Sequence, residues 1–98
     1  MRMILRATMD TQKSSELIKN GKMPEILKTM MEQLKPEAAY FTPDKGRRSC
    51  VIVFDMDDPS QLPVITEPLY AQAGAEISVQ PCMNLEDLQR GLAAIGNR

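Results

Sequence analysis

The chain has 98 residues, with 12 basic and 13 acidic side chains and no histidine. Without an imidazole, its own residues cannot form a Ser-His-Asp triad, the usual histidine-containing zinc sites or a histidine-ligated haem. The near balance of charge, with only two tyrosines, two phenylalanines and no tryptophan, argues against a surface that binds nucleic acid. The length predicts a single domain over residues 1–98.

The N-terminal residues differ from a targeting segment. Charged and apolar side chains alternate there, with Arg2, Ile4 and Arg6, whereas a signal peptide has a continuous apolar run. No stretch approaches the roughly 20 apolar residues of a membrane span. We therefore expect a cytoplasmic protein without a membrane or nucleic-acid partner. Cys50 and Cys82 lack CxxC spacing, which favours two small buried side chains over a redox or metal role.

The first half of the chain predicts a strand, a broken helical region and a second strand. Side chains alternate with period two from the start, Gly21 interrupts the helical pattern, and Pro36 ends it. The predicted elements are a strand over 2–9, a helix capped by Asp10 or Thr11 and ending near Asn20, a helical segment from Pro24 to Leu34, a strand over 37–42 and a turn over 43–46.

The second half predicts a strand, a helix, a strand and a final helix. Residues 50–54 are all apolar, as in a central strand covered on both faces. Pro68 falls inside the next helix, so a kink or break is expected there. The predicted elements are a strand over 49–56, a helix over 61–73, a strand over 76–82 and a helix capped by Asn84 with an apolar stripe of Leu85, Leu88, Leu92 and Ile95. This βαββαβ order with one extra C-terminal helix predicts an α+β fold, a ferredoxin-like sandwich with helices on one face of an antiparallel sheet.

Aligning the alternation of the strands separates two faces of the predicted sheet. The more apolar face should pack under the helices and carries Met3, Leu5, Ala7, Cys50, Ile52, Phe54, Ile77 and Val79. The opposite face carries Ile4, Arg6, Thr8, Val51, Val53, Asp55, Glu76, Ser78 and Gln80. That mixture is too apolar at its centre for open solvent and too charged for a dry core. A second copy packed on this face resolves the conflict, so we expect a homodimer through the open sheet face.

Several segments resemble a family of small bacterial proteins without an assigned function. They are Tyr40-Phe41-Thr42, Gly46-Arg47-Arg48, residues 53–60, Pro63, Glu67-Pro68-Leu69 and residues 81–88. That family is similar to the dimeric α+β barrel superfamily, so the resemblance implies two ferredoxin-like sheets that close into a barrel. Related groups include muconolactone isomerases and cofactor-free monooxygenases, and several use His or Trp residues that have no counterpart here. The resemblance therefore implies fold and assembly but no catalytic residue.

Polar residues predicted to project into the barrel interior, or to line its mouth, are the ligand-pocket candidates. They are Arg6, Tyr40, Asp55, Glu67, Tyr70, Glu76 and Gln80. A carboxylate enclosed in such an interior can acquire a raised pKa and act as a general base. The alternative is structural: these charges form ion pairs across the sheet or across the dimer interface. Within the sheet, Arg6 would pair with Glu76 on a neighbouring strand while Asp55 approaches from the other side. Glu67 and Tyr70 lie one helical turn apart, near the expected mouth.

Two further charge clusters invite functional interpretations. Arg47 and Arg48 follow the turn glycine, where two guanidinium groups could hold a carboxylate or phosphate, and the alternative is a solvated hairpin with one Arg in a salt bridge. Asp55, Asp57 and Asp58 could suggest a magnesium site, although acids after a strand more often cap the next helix. We expect no metal, no haem and no other cofactor.

Two functions follow from these observations. The protein binds or transforms a small organic molecule without metal or haem, or it is a non-catalytic regulatory or assembly homodimer whose interior charges only fix the register of its sheets. The sequence identifies no catalytic residue and leaves open whether the protein is an enzyme.

Overall fold

The predicted strands and helices all form, with boundaries within two residues of those expected. The computed structural model describes residues 1–96. Its elements are, in chain order, β1 Arg2–Thr8, α1 Thr11–Lys19, α2 Lys22–Leu34, β2 Ala38–Asp44, β3 Arg47–Asp55, α3 Gln61–Ala73, β4 Glu76–Pro81 and α4 Leu85–Gly96.

Strand β1 lies inside the sheet, between β3 and β4. The strand order is β2-β3-β1-β4, and each of the three pairings is antiparallel. Strands joined through helices are therefore separated by one intervening strand, which is the ferredoxin-like arrangement of two interleaved βαβ units. This topology confirms the predicted α+β fold. Helices α1, α2 and α3 cover one face of the sheet, and the other face stays open.

Local sequence signals place the ends of the first helices and the hairpin. The Asp10 side chain caps α1 by accepting a hydrogen bond from the Lys13 backbone N–H at 2.9 Å. Gly21, with φ of 75°, separates α1 from α2 and confirms the expected break. Lys45 and Gly46 have φ values of 52° and 79°, the two positive values of the tight turn that matches the twist of paired strands.

Helix α3 differs from its prediction at Pro68. A proline inside a helix removes one backbone hydrogen bond and costs about 3 kcal/mol. The helix nevertheless continues from Gln61 to Ala73, so a break at Pro68 is excluded, whereas the kink that was the other expectation stays a prediction. Ile65 and Leu69, on either side of the proline, are both buried against the sheet. Their packing holds both halves of the helix in place.

The core lies between the sheet and the first three helices. Its largest fully buried side chains include Leu5, Ile52, Phe54 and Leu69, each less than 2% exposed. The first three come from the adjacent strands β1 and β3, and Leu69 reaches them from α3. These positions confirm the face that the alternation assigned to the helices. Each such side chain contributes roughly 1.5–3 kcal/mol of hydrophobic free energy when buried.

Helix α4 does not join this core. None of its residues is buried, and the apolar stripe is open to solvent: Leu85 is 68% exposed, Leu88 40%, Leu92 56% and Ile95 62%. The molecule measures 56 × 28 × 18 Å with a radius of gyration of 15.8 Å, against about 13 Å for a compact chain of this length. Neither α4 nor any other helix within residues 1–96 is long and apolar enough to cross a membrane.

The end of α3 generates the first prediction. Gly74 has φ of 56°, and a Cβ placed there would lie 3.0 Å from Lys13 Cδ and 3.1 Å from Asp10 Cβ. Gly21 has a similar φ but open space around it. We expect Gly21→Ala to lower the free energy of unfolding by about 1 kcal/mol from backbone strain alone, and Gly74→Ala by about 2 kcal/mol or more because Asp10 must also move. Urea denaturation of both variants measures the difference, and equal losses would contradict it.

Candidate functional site

The strand register determines which side chains share the uncovered face of the sheet. We call this surface the open face. Its members are Arg2, Ile4, Arg6, Thr8, Ala38, Tyr40, Thr42, Asp44, Arg47, Ser49, Val51, Val53, Asp55, Glu76, Ser78 and Gln80. All nine residues that the sequence analysis assigned to this face are among them. The face assignment is therefore confirmed, whereas the homodimer it suggested stays a prediction.

An apolar band crosses the centre of the open face. Ile4, Val53 and Ala38 lie side by side on adjacent strands, and Val51 follows in the next row. All four are half-buried although no helix covers them. Polar groups border this band, including a Thr8–Ser49 hydroxyl pair at 2.8 Å that the sequence analysis did not single out as a site.

Most charged groups of the open face have an ionic partner within the chain. The Arg2 guanidinium contacts Glu37 Oε1 at 2.5 Å and Asp87 Oδ2 at 2.8 Å. The hydrogen bond that Arg2 donates to the Glu37 carboxylate raises the pKa of Arg2, so this group stays charged. Arg47 lies 3.4 Å from Glu76 Oε2. The N-terminal ammonium lies 2.6 Å from Asp55 Oδ1.

Arg6 differs from these groups. Within residues 1–96, no carboxylate oxygen lies within 4 Å of its guanidinium. The expected pairing of Arg6 with Glu76 and Asp55 within one sheet is therefore wrong, whereas an ion pair of Arg6 across the dimer interface stays a prediction. Glu76 lies opposite Thr8 in the register, and Asp55 lies opposite Arg2, four positions or about 13 Å along the strand from Arg6. Alternation predicted the shared face of these residues but not their register.

The structure brings three of the ligand-pocket candidates together around the apolar band. Arg6 and Tyr40 occupy one row, on either side of Val51 and about 10 Å apart at the backbone. Gln80 is opposite Ile4 in the neighbouring row. Tyr40 is 70% exposed, so its phenol group is free of packing within the chain.

Glu67 and Tyr70 do not share this surface. Both are exposed on α3, in the helical layer on the other side of the sheet. A groove of about 690 Å³ does run between α2 and α3, but its α3 wall consists of Val64, Ile65, Pro68, Leu69 and Gln72. Neither Glu67 nor Tyr70 lines this groove, and their place at a pocket mouth stays a prediction.

A smaller and almost wholly apolar hollow of about 300 Å³ lies between the β2 edge and the first two helices. Met9, Met23 and Phe41 are among its lining residues. Met23 contributes to this hollow, whereas Met30 lies at the α2–α3 groove. Both methionines are buried and belong to the two core clusters.

The two arginines after the turn have separate roles. Neighbouring residues of a strand point to opposite faces, so Arg47 lies on the open face while Arg48 points toward the helices. Arg48 donates hydrogen bonds to Ser14 Oγ at 2.8 Å and Ser15 Oγ at 3.0 Å. It thereby ties β3 to α1 and satisfies the fully buried Ser14. The two guanidinium groups do not converge on a common anion.

The acidic residues after β3 have a local structural role. Asp58 Oδ1 accepts the Ser60 backbone N–H at 2.8 Å, and the hydrogen bonds from Ser60 hold the pKa of Asp58 below its usual value. The backbone N–H of Asp57 donates to Gln61 Oε1 at 2.9 Å, at the start of α3. Within residues 1–96, no three cysteine or acidic side chains cluster as metal ligands would.

Both cysteines are free thiols. Cys50 is buried on the helix-covered face, and this burial raises the pKa of its thiol. Raising that pKa leaves little thiolate at neutral pH, which makes Cys50 a packing residue rather than a nucleophile. Cys82 is half-buried just after β4, where its backbone N–H donates to Arg2 O at 3.1 Å.

Asp87 links α4 to the open face. Its carboxylate Oδ2 accepts hydrogen bonds from Arg2 at 2.8 Å and from the Asn84 backbone N–H at 3.1 Å, and its Oδ1 contacts Arg90. In return, Asn84 Oδ1 accepts the Asp87 backbone N–H at 2.8 Å. This reciprocal cap closes the first turn of the helix. The Asn84 hydrogen bond, together with Arg90 and Arg2, holds the pKa of Asp87 below its usual value.

The geometry defines a ferredoxin-like α+β domain with one polar-bordered open face and one unpacked terminal helix. The family model described as a domain of unknown function (DUF3303) matches residues 1–96, so the chain belongs to that family. No curated protein matches the sequence. The chain is similar to a solved structure, "De novo designed protein Ferredog-Diesel", with 14% sequence identity and a TM-score of 0.47. The match covers 82% of this chain and 83% of the designed protein. The family description names no activity.

The Asp87 contacts generate the second prediction. Because folding lowers the pKa of Asp87, its ionised carboxylate stabilises the attachment of α4 at neutral pH. This stabilisation begins to be lost when the pH falls below the unfolded pKa of about 3.9, and it is gone once the pH is below the lower pKa of the folded state. We expect Asp87→Asn to weaken the attachment of α4 to the sheet at neutral pH, because it removes the carboxylate charge that acid would neutralise in the unmodified chain. Hydrogen exchange of the α4 backbone amides measures it. Glu86→Gln, in the same helical turn, is the control, and equal exchange in both variants would contradict the prediction.

Proposed function

We propose that two copies of this chain pack open face to open face, and that the resulting α+β barrel binds a small organic molecule in its interior without metal or haem. The observation that carries the proposal is a pair of apolar surfaces that the chain leaves uncovered. One is the band of Ile4, Val51 and Val53 on the open face, and the other is the exposed stripe of α4. Adjoining apolar surfaces of this kind are typical of interaction sites.

These two surfaces adjoin one another. Arg2 belongs to the open face and holds Asp87 in the first turn of α4, so the helix begins at one end of that face. A partner that covers this end of the face can therefore also contact α4. A second copy is the favoured partner because it carries the same two uncovered apolar surfaces. A twofold interface uses the same patch on both chains, so it buries these surfaces on each of them. Stable interfaces bury about 800 Å² on each partner. The open face and α4 together form a surface suited to an interface of that size.

The polar border of the band supports ligand binding rather than a dry interface. Tyr40 and Gln80 carry hydrogen-bonding groups next to apolar side chains, as ligand sites do. The carboxylates of Asp55 and Glu76 each contact a cation of their own chain, and neither lies in the Tyr40–Arg6 row of the register. We therefore propose binding and assign no catalytic base.

The second candidate function is a non-catalytic assembly or regulatory dimer. The intrachain pairs Arg47–Glu76 and Met1–Asp55 favour it, because they satisfy open-face charges without any ligand. Under this alternative the polar residues only fix the register of the two sheets. The two candidates share the dimer and differ in whether the interior takes up a molecule.

The dimer itself is the third prediction. The chain mass is 11.0 kDa, so sedimentation equilibrium should give about twice that value. Val53→Lys should shift the mass to the monomer or prevent folding, because the twofold axis brings two charges into the covered band. Gln12→Lys adds the same charge on the exposed side of α1 and should leave the dimer intact. A monomer mass for the unmodified protein at all concentrations would overturn the proposal.

The fourth prediction tests the contribution of α4. Leu92 is 56% exposed in the single chain, so Leu92→Glu should leave the fold of the protomer unchanged. In the dimer the new carboxylate would be buried, and we expect the dimer dissociation constant to rise at least about tenfold, or roughly 1.4 kcal/mol. Gln89→Glu places the same charge elsewhere on α4 and serves as the control. Equal dissociation constants for the two variants, from dilution in analytical ultracentrifugation, would exclude α4 from the interface.

A further inference from the structure

Arg6 occupies the centre of the open face. It lies in the middle of β1, which is an inner strand, with Val51 beside it on β3 and Ser78 beside it on β4. Its side chain is exposed in the single chain. A partner that covers the centre of the open face therefore also covers Arg6.

The charge of Arg6 has no counterpart within the described chain. Arg2 and Arg47, the other arginines of the open face, each contact a carboxylate, whereas no carboxylate in residues 1–96 lies within 4 Å of Arg6. The acids nearest in the sheet, Glu76 and Asp55, are held by Arg47 and the N-terminal ammonium. In the barrel, twofold symmetry adds a second Arg6 to the same interior. Enclosing an unpaired charge is strongly unfavourable, and two like charges add repulsion.

We infer that Arg6 binds the carboxylate of a small organic acid inside the barrel; this inference rests on the proposed dimer. A planar guanidinium matches a carboxylate through two parallel N–H to O bonds, and such a pair supplies the missing counter-charge. The negative charge then enters with the ligand, because Glu76 and Asp55 are held by Arg47 and the N-terminal ammonium.

The surroundings of Arg6 favour a monoanion with an apolar body over a phosphate. Each copy contributes one unpaired guanidinium, whose planar geometry matches one carboxylate through two parallel hydrogen bonds. The band of Ile4, Val51 and Val53 offers an apolar floor beside it. Tyr40 lies at the far end of the same row, about 10 Å from Arg6 at the backbone, where its hydroxyl can contact the opposite end of the ligand.

The experiment measures the melting temperature of the unmodified protein with millimolar hexanoate or benzoate, their uncharged amides, and inorganic phosphate. At ten times Kd, a carboxylate should raise the Tm by roughly 5 °C or more, while the amides and phosphate should not. Arg6→Gln should abolish the shift, Arg6→Lys should reduce it, and Lys28→Gln, which removes a charge from exposed α2, should retain it. Without ligand, Arg6→Gln should raise the Tm of the dimer, because it removes an uncompensated charge.

Each contrary result has a distinct meaning. A lower Tm for ligand-free Arg6→Gln, with no carboxylate shift in the unmodified protein, would show that a carboxylate of the partner copy already pairs with Arg6, and the inference would be wrong. An Arg6-dependent shift of equal size with phosphate would overturn the ligand class. Sedimentation of the same samples separates these results from failure of the dimer: a monomeric protein refutes the proposed function, whereas a dimer unaffected by any carboxylate refutes only the role of Arg6.

Discussion

The pairing of β1 with both β3 and β4 is the constraint on which the rest of the structure depends. An inner strand must send alternate side chains to opposite faces, so Leu5 is fully buried beneath the helices while Arg6, the next residue, projects from the other face. A shift of one residue would place a guanidinium in the core and a leucine in solvent. The same pairing that buries the core thus also presents the charged centre of the open face.

The fold was predictable because its signals are local. Period-two alternation assigned the residues it placed on β1, β3 and β4 to their correct faces, and Gly21 marked a helix boundary that tertiary packing did not alter. No break forms at Pro68 because the cost of a proline is local while its compensation is not: the burial of Ile65 and Leu69 comes from the sheet, which the helix sequence does not describe. Sequence rules fail where distant contacts outweigh a local preference.

The candidate site was predictable only in part, for a related reason. Alternation placed Arg6, Gln80 and the acidic residues on one face, but it has no information on register. Register depends on where the hairpin turn falls and on which backbone groups pair, and the actual pairing moves Asp55 about 13 Å away from the Arg6 row. Likewise, amphipathic spacing identified the stripe of α4, but periodicity does not say which surface a stripe meets.

The position of Arg2 has a consequence for how α4 and strand β2 are coupled. Its guanidinium joins Asp87 of α4 to Glu37, and the Glu37 backbone N–H donates to Val53 O at the point where β2 begins its pairing with β3. The terminal helix is thus connected through one side chain to the strand that carries Tyr40. In the proposed dimer, the packing of a partner protomer on α4 and the binding of a ligand beside Tyr40 would both act on the contacts of Arg2 with Asp87 and Glu37. Thermodynamic linkage makes any such coupling reciprocal, so the affinity for a ligand and the affinity between protomers would change by the same factor.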